Sequence, residues 1–369
     1  MRLTVEALED LARGAAFLGA GGGGDPYIGY LLARRAIEAH GPVEVIGVDQ
    51  LGEEDAVYVV GMMGAPTVLI EKLPGEREIE IAVETLERFT GRRARAVLPI
   101  EVGGVNSLIP IQVAAARGLP LLDADGMGRA FPRLHMVTYH LHGIDAGPLV
   151  MVNEHGEFAL IGAESPQTAE EMARPIAVRM GGTAAVSCYP MTGRQARGAV
   201  LPGTLGLARD LGRAIEAGRR NGDPFEALMA ALRTTDYYRH CRLLFEGKIT
   251  DLVRKTEQAF AIGRCRMAGL DGCAGGELEV AFQNEFLVAR LDGEVQAIVP
   301  DLICILDRDS AEPITTENLR YGQRVKVFGV SAPPPLRTTR GLEIFGPQAF
   351  DLDDPFRPVE DLIPQAEGA

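Results

Sequence analysis

The stretch ARAVLPIEVGGVNSLIPIQVAAARGLPLLDADG, residues 94–126, reads as strand, glycine turn, helix, glycine stop and strand. Residues 94–100 are a short apolar run, 108–117 follow helical spacing up to Gly118, and 119–122 form a second buried run. Two strands joined by a helix run parallel, because the helix carries the chain back to the edge it left. Upstream, 43–48 and 56–62 are two more apolar, β-branched runs. Between them and the quoted stretch, 78–90 forms a helix with Ile79, Ala82, Val83, Leu86 and Phe89 on one face. The alternation over 43–122 predicts an α/β fold with a largely parallel sheet. The expected organisation is an N-terminal mixed/parallel sheet domain with helices on its faces, residues 1–234. A β-rich C-terminal domain with an extended tail, 235–369, follows.

Chemistry gathers at the carboxyl ends of these strands, the edge at which open α/β sheets hold ligands. The strand over 94–100 runs into Glu101 and Asn106 around Gly103-Gly104, and the next runs into Asp123 and Asp125 in an Asp-x-Asp-Gly turn. Residues 121–143, LLDADGMGRAFPRLHMVTYHLHG, add Arg129, His135, His140 and His142, half of the chain's six histidines. The plain alternative is a tight Asx turn followed by a surface histidine cluster. Nearer the start, a helix over 4–17 leads into LGAGGGGDP, 18–26. Gly19, Gly21 and Gly24 satisfy G-x-G-x-x-G, but a helix precedes them where the dinucleotide fingerprint needs a strand. The Rossmann reading therefore fails. What survives is a glycine-rich lead-in to a helix over 27–39, whose free N–H groups suit an anion or a carbonyl, or else a turn with no ligand.

Composition narrows the function classes. With 37 basic against 51 acidic residues the net charge is −14, the wrong sign for nucleic acid or an anionic membrane surface. Five cysteines, none spaced as Cys-x-x-Cys, suggest neither a disulfide framework nor a zinc knuckle. The first residues lack a basic region followed by an apolar run, and no apolar stretch nears the roughly 20 residues of a membrane span, so a cytoplasmic protein is expected. A homo-oligomer is the common state for such proteins.

Further on, 62–75 reads as a loop, 149–152 and 157–161 as a hairpin, 165–180 as a helix, 184–188 as a strand, and 205–217 and 224–232 as helices. From 237 to 330 the chain becomes strands, LEVAFQNEFLVARL (278–291) read as one of them, with hairpin turns at Asp271-Gly272 and Asp292-Gly293 and no pair of acid/base groups. Residues 331–369 read as an extended return with a disordered end.

The segments GAAFLGAGGGGDPYIG (14–29), IEVGGVNS (100–107), LLDADGMGRAFPRLHM (121–136) and PDLICILDRDSAEPITTENLRYGQRVKVFGV (300–330) resemble, in order, signatures of the bacterial DUF917 family. That family is similar to parts of hydantoinase and oxoprolinase proteins. The resemblance implies a hydrolase of a small cyclic amide or thioamide, S-methyl-thiohydantoin desulfurase-like, turning a ring C–S bond into C=O. A related activity is desulfhydration of a thiohydantoin propionate. Arg133 and His135 stand where family members usually carry acid or amide residues, which suits a role in specificity rather than shared catalysis.

Such a reaction needs a base or metal to activate water, a group to answer charge on the ring nitrogen, and donors to orient the carbonyls. The expected catalytic residues are Asp123, Asp125, His140 and Glu101. Expected substrate contacts are Gly21, Gly22, Gly23, Gly24, Asp25 (also a helix cap), Asn106, Arg129 and His142. Arg129 serves either as a bidentate carboxylate clamp or as a partner for Asp123 or Asp125. A divalent metal such as zinc, held by Asp123 or Asp125 with His140 or His142, competes with metal-free general-base catalysis. The two histidines, two apart, share a face only in a turn. The rival function is a non-catalytic or ancillary subunit of a hydantoinase/oxoprolinase-type assembly. An ATP-dependent ring opener is disfavoured by the lack of a Walker motif.

Overall fold

The computed structural model describes residues 2–72, 74–75 and 77–362. β1 (Arg2–Leu3) and α1 (Val5–Leu18) precede the glycine run, and α2 (Pro26–His40) follows it. Then come β2 (Val43–Ile46), β3 (Ala56–Gly64), α3 (Pro66–Glu71), α4 (Glu78–Thr90), β4 (Ala94–Pro99), α5 (Ile109–Arg117) and β5 (Leu121–Leu122). β2, β5, β4 and β3 lie side by side and parallel, as the alternation of strands and helices predicts.

The chain continues through β6 (Ala124–Asp125), α6 (Thr138–Leu141), β7 (Leu149–Val152), β8 (Phe158–Ile161), α7 (Pro166–Arg179) and β9 (Thr183–Thr192). β9 pairs antiparallel with β3 and brings β7 and β8 with it, so the sheet is mixed: eight strands in the order β1-β2-β5-β4-β3-β9-β7-β8. α8 (Gly193–Ala199) and β10 (Leu201–Pro202, paired with β6) lead to α9 (Thr204–Asn221) and α10 (Pro224–Arg233). The buried stripe Leu8, Leu11, Ala15 and Leu18 of α1 faces the stripe Leu205, Ala208, Leu211 and Ile215 of α9 at helical spacing.

The second sheet is wholly antiparallel. β11 (Cys241–Glu257), β12 (Phe260–Gly269), β13 (Glu277–Gln283), β14 (Glu285–Leu291), β15 (Glu294–Ile298), β16 (Leu302–Asp307) and β17 (Arg324–Val330) stand in the order β15-β14-β13-β12-β11-β17-β16. Asp292-Gly293 is the expected two-residue turn, both residues having positive φ (50° and 93°). Asp271-Gly272 instead opens a 3₁₀ turn inside the longer connection 270–276.

Three expectations change. The segment 62–75 is not all loop: it holds the end of β3 and then α3, with residue 73 outside the described residues. Residues after 330 are not simply extended. They form α11 (Thr339–Phe345) between short 3₁₀ turns, because Leu336, Phe345 and Phe350 are apolar enough to be buried. The expected disordered end, 363–369, lies outside the described residues. The most consequential change is at LEVAFQNEFLVARL, read as one strand, which folds back at Asn284 (φ 60°) into β13 and β14. Among the described residues no helix is long and apolar enough to cross a membrane.

Candidate functional site

The glycine run is held between the two sheets by its own backbone. On one side Val105 donates to the Gly23 carbonyl at 2.7 Å. On the other, Phe286 donates to Ala20 at 2.9 Å and Thr316 to Gly21 at 2.8 Å. The fit leaves no room for side chains: a Cβ on Gly22 would meet the Glu285 carboxylate at 2.1 Å.

Beside this contact lies a recess whose empty space is about 530 Å³ with the open solvent at its mouth included. Its lining includes Gly23, Gly24, Glu101, Asn106, Phe131 and Glu285. It sits at the carboxyl ends of β3 and β4, where the sheet topology places a ligand. Gly23 and Gly24 both line the recess, and their amides meet no acceptor among the described residues. Gly21 and Gly22 face the second sheet instead. A wider chamber of about 1520 Å³ opens beyond the recess and shares Arg133 and Arg174 with it; its far wall includes His135, Gln167 and Phe260.

Two buried carboxyl groups face this recess in unlike surroundings. Glu101 is fixed by two donors: Asn106 Nδ2 reaches Oε1 at 2.6 Å and the Phe131 amide reaches Oε2 at 3.1 Å. Burial pushes it up to about 7, against the pull of those donors. Glu285 is 2% exposed and its Oε2 has no partner. Burial, with Glu101 adding to it, raises Glu285 well above the ordinary carboxyl range. Donors favour a carboxylate, and Glu101 has the better set of them, so of the two Glu101 is the better placed to ionise and Glu285 to keep its proton. Glu317, also pushed up to about 7 by burial, stands next in line with Asp25.

This arrangement yields a stability prediction. Glu285 keeps its proton in the folded state at pH values where the unfolded chain has lost it, so its contribution is full below 4.5 and is lost as pH rises. Glu285→Gln is expected to melt above wild type, with a gap that opens on going from pH 5 to pH 8 and closes near pH 4. A gap of constant size would show that the carboxyl is not held neutral.

The residues expected from sequence divide sharply. Glu101, Asn106, Gly23 and Gly24 meet in the recess. Asn106, however, is occupied: its Oδ1 accepts the Met62 amide at 2.7 Å while Nδ2 holds Glu101, so it positions that carboxyl. Asp125 is not at the recess. Its Oδ2 accepts the Val102, Met127 and Gly128 amides at 2.8–2.9 Å, tying the loops together. Asp123 accepts the Leu205 and Gly206 amides at 3.0 and 2.9 Å and so caps α9. Asp123→Ala should therefore cost about 1 kcal/mol of stability in urea denaturation and leave ligand binding unchanged.

Asp25 is spent as well, on the Tyr27 amide and on Asn318 Nδ2. α6 turns the histidine segment. His140 Nδ1 donates to the His135 carbonyl at 3.0 Å, its Nε2 faces Gln167 at 3.2 Å, and His142 is exposed. Neither histidine lines the recess. Asp123, Asp125, His140 and His142 thus share no ligand sphere, and no group of three or more His, Cys, Asp or Glu among the described residues is placed to hold a metal ion.

Arg129 is no substrate clamp. It is fully buried, and its guanidinium donates to the carbonyls of Ala130 (3.1 Å), Phe286 (3.0 Å), Pro300 (3.2 Å) and Asp301 (2.8 Å). Its acceptors are backbone oxygens, one in β14 and two in the connection from β15 to β16, rather than a ligand. Phe131 lies under it, 4.9 Å from ring centroid to guanidinium carbon.

Sequence reasoning missed Glu285, Asn284 and Arg174. The signal for the first two was present. Fourteen residues are too many for an average strand, and Gln283-Asn284-Glu285 is a polar break that a left-handed Asn can turn. Arg174 left no comparable signal, since it lies on a helix as an ordinary charged residue.

Family models described as S-Me-THD-like, N-terminal domain, and S-Me-THD-like, C-terminal domain, match residues 6–163 and 164–359. The crystal structure of a protein from Chromobacterium violaceum is similar over 97% of this chain and 100% of that one, at 26% identity and a TM-score of 0.79. No curated protein matches.

Proposed function

From the premise that this chain belongs to the S-Me-THD-like family, we propose that it is a hydrolase of a small cyclic amide or thioamide, acting like an S-methyl-thiohydantoin desulfurase. The observation that carries this reading is the pair Glu101 and Glu285, one recess holding a carboxyl with a donor on each oxygen and a buried carboxyl whose Oε2 has no partner. In the proposed reaction Glu101 takes a proton from water as its oxygen adds to the ring carbon bearing sulfur. Glu285 gives its proton to the adjacent ring nitrogen. The tetrahedral adduct then expels the thiolate, the new C–OH becomes C=O, and the proton held by Glu101 leaves with the sulfur as thiol. The hydroxyl proton of the adduct returns Glu285 to its acid form. The balance is one water consumed and one thiol released. The Gly23 and Gly24 amides would hold a ring carbonyl, in the manner of preorganised backbone donors.

The ring's substituent would run into the outer chamber. Two buried atoms there lack partners, Arg174 Nη1 and His135 Nδ1, and buried polar atoms without partners are rare enough to need an explanation. Burial holds His135 at about 4, so its ring is neutral and can donate or accept by tautomer.

The test is incubation of the purified chain with S-methyl-thiohydantoins, with released thiol followed by a disulfide reagent. Thiol release that disappears in Glu101→Gln and Glu285→Gln supports the reading. Silence from the lone chain, with activity restored by a hydantoinase- or oxoprolinase-type protein, would replace it with the ancillary-subunit role.

A further inference from the structure

The first sheet ends on β8, Phe158-Ala159-Leu160-Ile161, which holds no charge, no proline and no bulge. β8 is paired on one side only, with β7. Its register continues into the turn, where the Asn153 amide donates to the Glu157 carbonyl at 3.0 Å. Bonding positions alternate along an antiparallel pair. Counting from Glu157, Ala159 and Ile161 turn their amides and carbonyls to β7, while Phe158 and Leu160 turn theirs to the open edge. The side chains of the same two residues share one face and are 55% and 38% exposed.

An open edge is a template for another strand, and native sheets blunt it with brevity, charge, proline or a bulge. The opposite edge of this sheet, β1, is two residues long and carries the exposed Arg2. On the second sheet β16 is bridged at Leu306 by Pro313. β8 has no such device. Its cover must bring a strand with apolar side chains at alternate positions, and β8 itself brings both.

We propose that two copies of this chain pair β8 against β8, antiparallel about a twofold axis between Ala159 and the partner's Ala159. Phe158 then bonds through its backbone to the partner's Leu160, and Leu160 to the partner's Phe158. The four side chains gather on one face as two cross-strand pairs, and the interface is isologous. The ends of the ladder are complementary as well. The exposed His155 falls beside the exposed Glu164 of the partner, and Glu154, which would repel that glutamate, is tied to Lys72 at 2.6 Å. A ladder this short is small beside the roughly 1,200 Å² of a stable complex, so the dimer is weak, half formed on the order of 10 µM. It stands independently of the hydrolase reading.

The test is sedimentation velocity of the full chain from about 1 to about 200 µM. Wild type is expected to pass from monomer to dimer across that range. Leu160→Lys puts a charge on the edge, and Leu160→Pro removes one outward amide while sparing the ladder to β7; each should raise the dissociation constant at least about tenfold. The register has its own readout. Ala159 faces its counterpart at a non-bonded position with Cα atoms about 4.5 Å apart, within disulfide reach, so Ala159→Cys should give a covalent dimer under mild oxidation and wild type should not. A wild-type chain monomeric throughout overturns the proposal and leaves the edge to a strand of another protein. A dimer undisturbed by both Leu160 variants, or an Ala159→Cys chain that does not cross-link, overturns it too.

Discussion

Glu101→Gln is expected to lower thiol release about 10²–10⁴-fold, the range over which a positioned general base acts. The substitution keeps the shape and one accepting oxygen, so one of the two donors, Asn106 Nδ2 or the Phe131 amide, retains its partner while the other faces an NH2 group; what disappears is the ability to take a proton from water. Loss of activity with unchanged melting and unchanged substrate binding would separate chemistry from structure. The pH dependence is its companion. Glu101, at about 7, must be ionised to act, so the wild-type rate should rise with pH through that value. Glu285 must keep its proton, and its elevation sets a fall on the alkaline side. A Glu101→Gln enzyme within fivefold of wild type would remove this residue from the reaction.

The largest structural effect is expected from Gly23→Ala. Gly23 has φ +77°, and its Cβ would stand 2.6 Å from Gly103 Cα and 2.8 Å from the Gly104 nitrogen. These are backbone atoms of a loop that is itself bonded to Gly23 through Val105, so neither wall can yield independently. The left-handed conformation costs a side chain roughly 1–2 kcal/mol, and forcing apart a packed contact adds roughly 1–3 kcal/mol. A loss of about 2–5 kcal/mol in urea denaturation follows from the two together, with a fall in turnover because Gly103 adjoins Glu101 and the Gly23 amide is a donor. Gly91→Ala is the control: φ is +68° and a Cβ there meets nothing within 4 Å. It should show the conformational cost alone and leave turnover intact.

Sequence periodicity made the first sheet legible because its parallel strands are mostly apolar, with only Glu44 and Arg95 breaking β2 and β4, and the helices between them show a buried face. Glu101 was legible for a related reason, since it directly follows a strand end, and the glycine run stands out by its composition between two helices. Asp123, Asp125, His140 and Arg129 looked equally chemical, and nothing in their spacing reveals that helix capping, loop tying and carbonyl binding engage them away from the recess. Composition identifies what a residue can do, whereas its partners decide what is left for it to do. Glu285 was hidden by distance: it lies 184 positions beyond Glu101 in the numbering, on a strand whose start depends on one left-handed Asn.

In the proposed reaction the proton donor and the proton acceptor are carried by different sheets, so reactivity would be a property of the seam. Splitting the polypeptide near 234–240 would yield one fragment with the base and another with the acid, each inert until they reassociate. Heating or mild denaturant should likewise extinguish turnover as the seam loosens, ahead of the loss of strand and helix signals, so that inactivation reports on docking before it reports on unfolding.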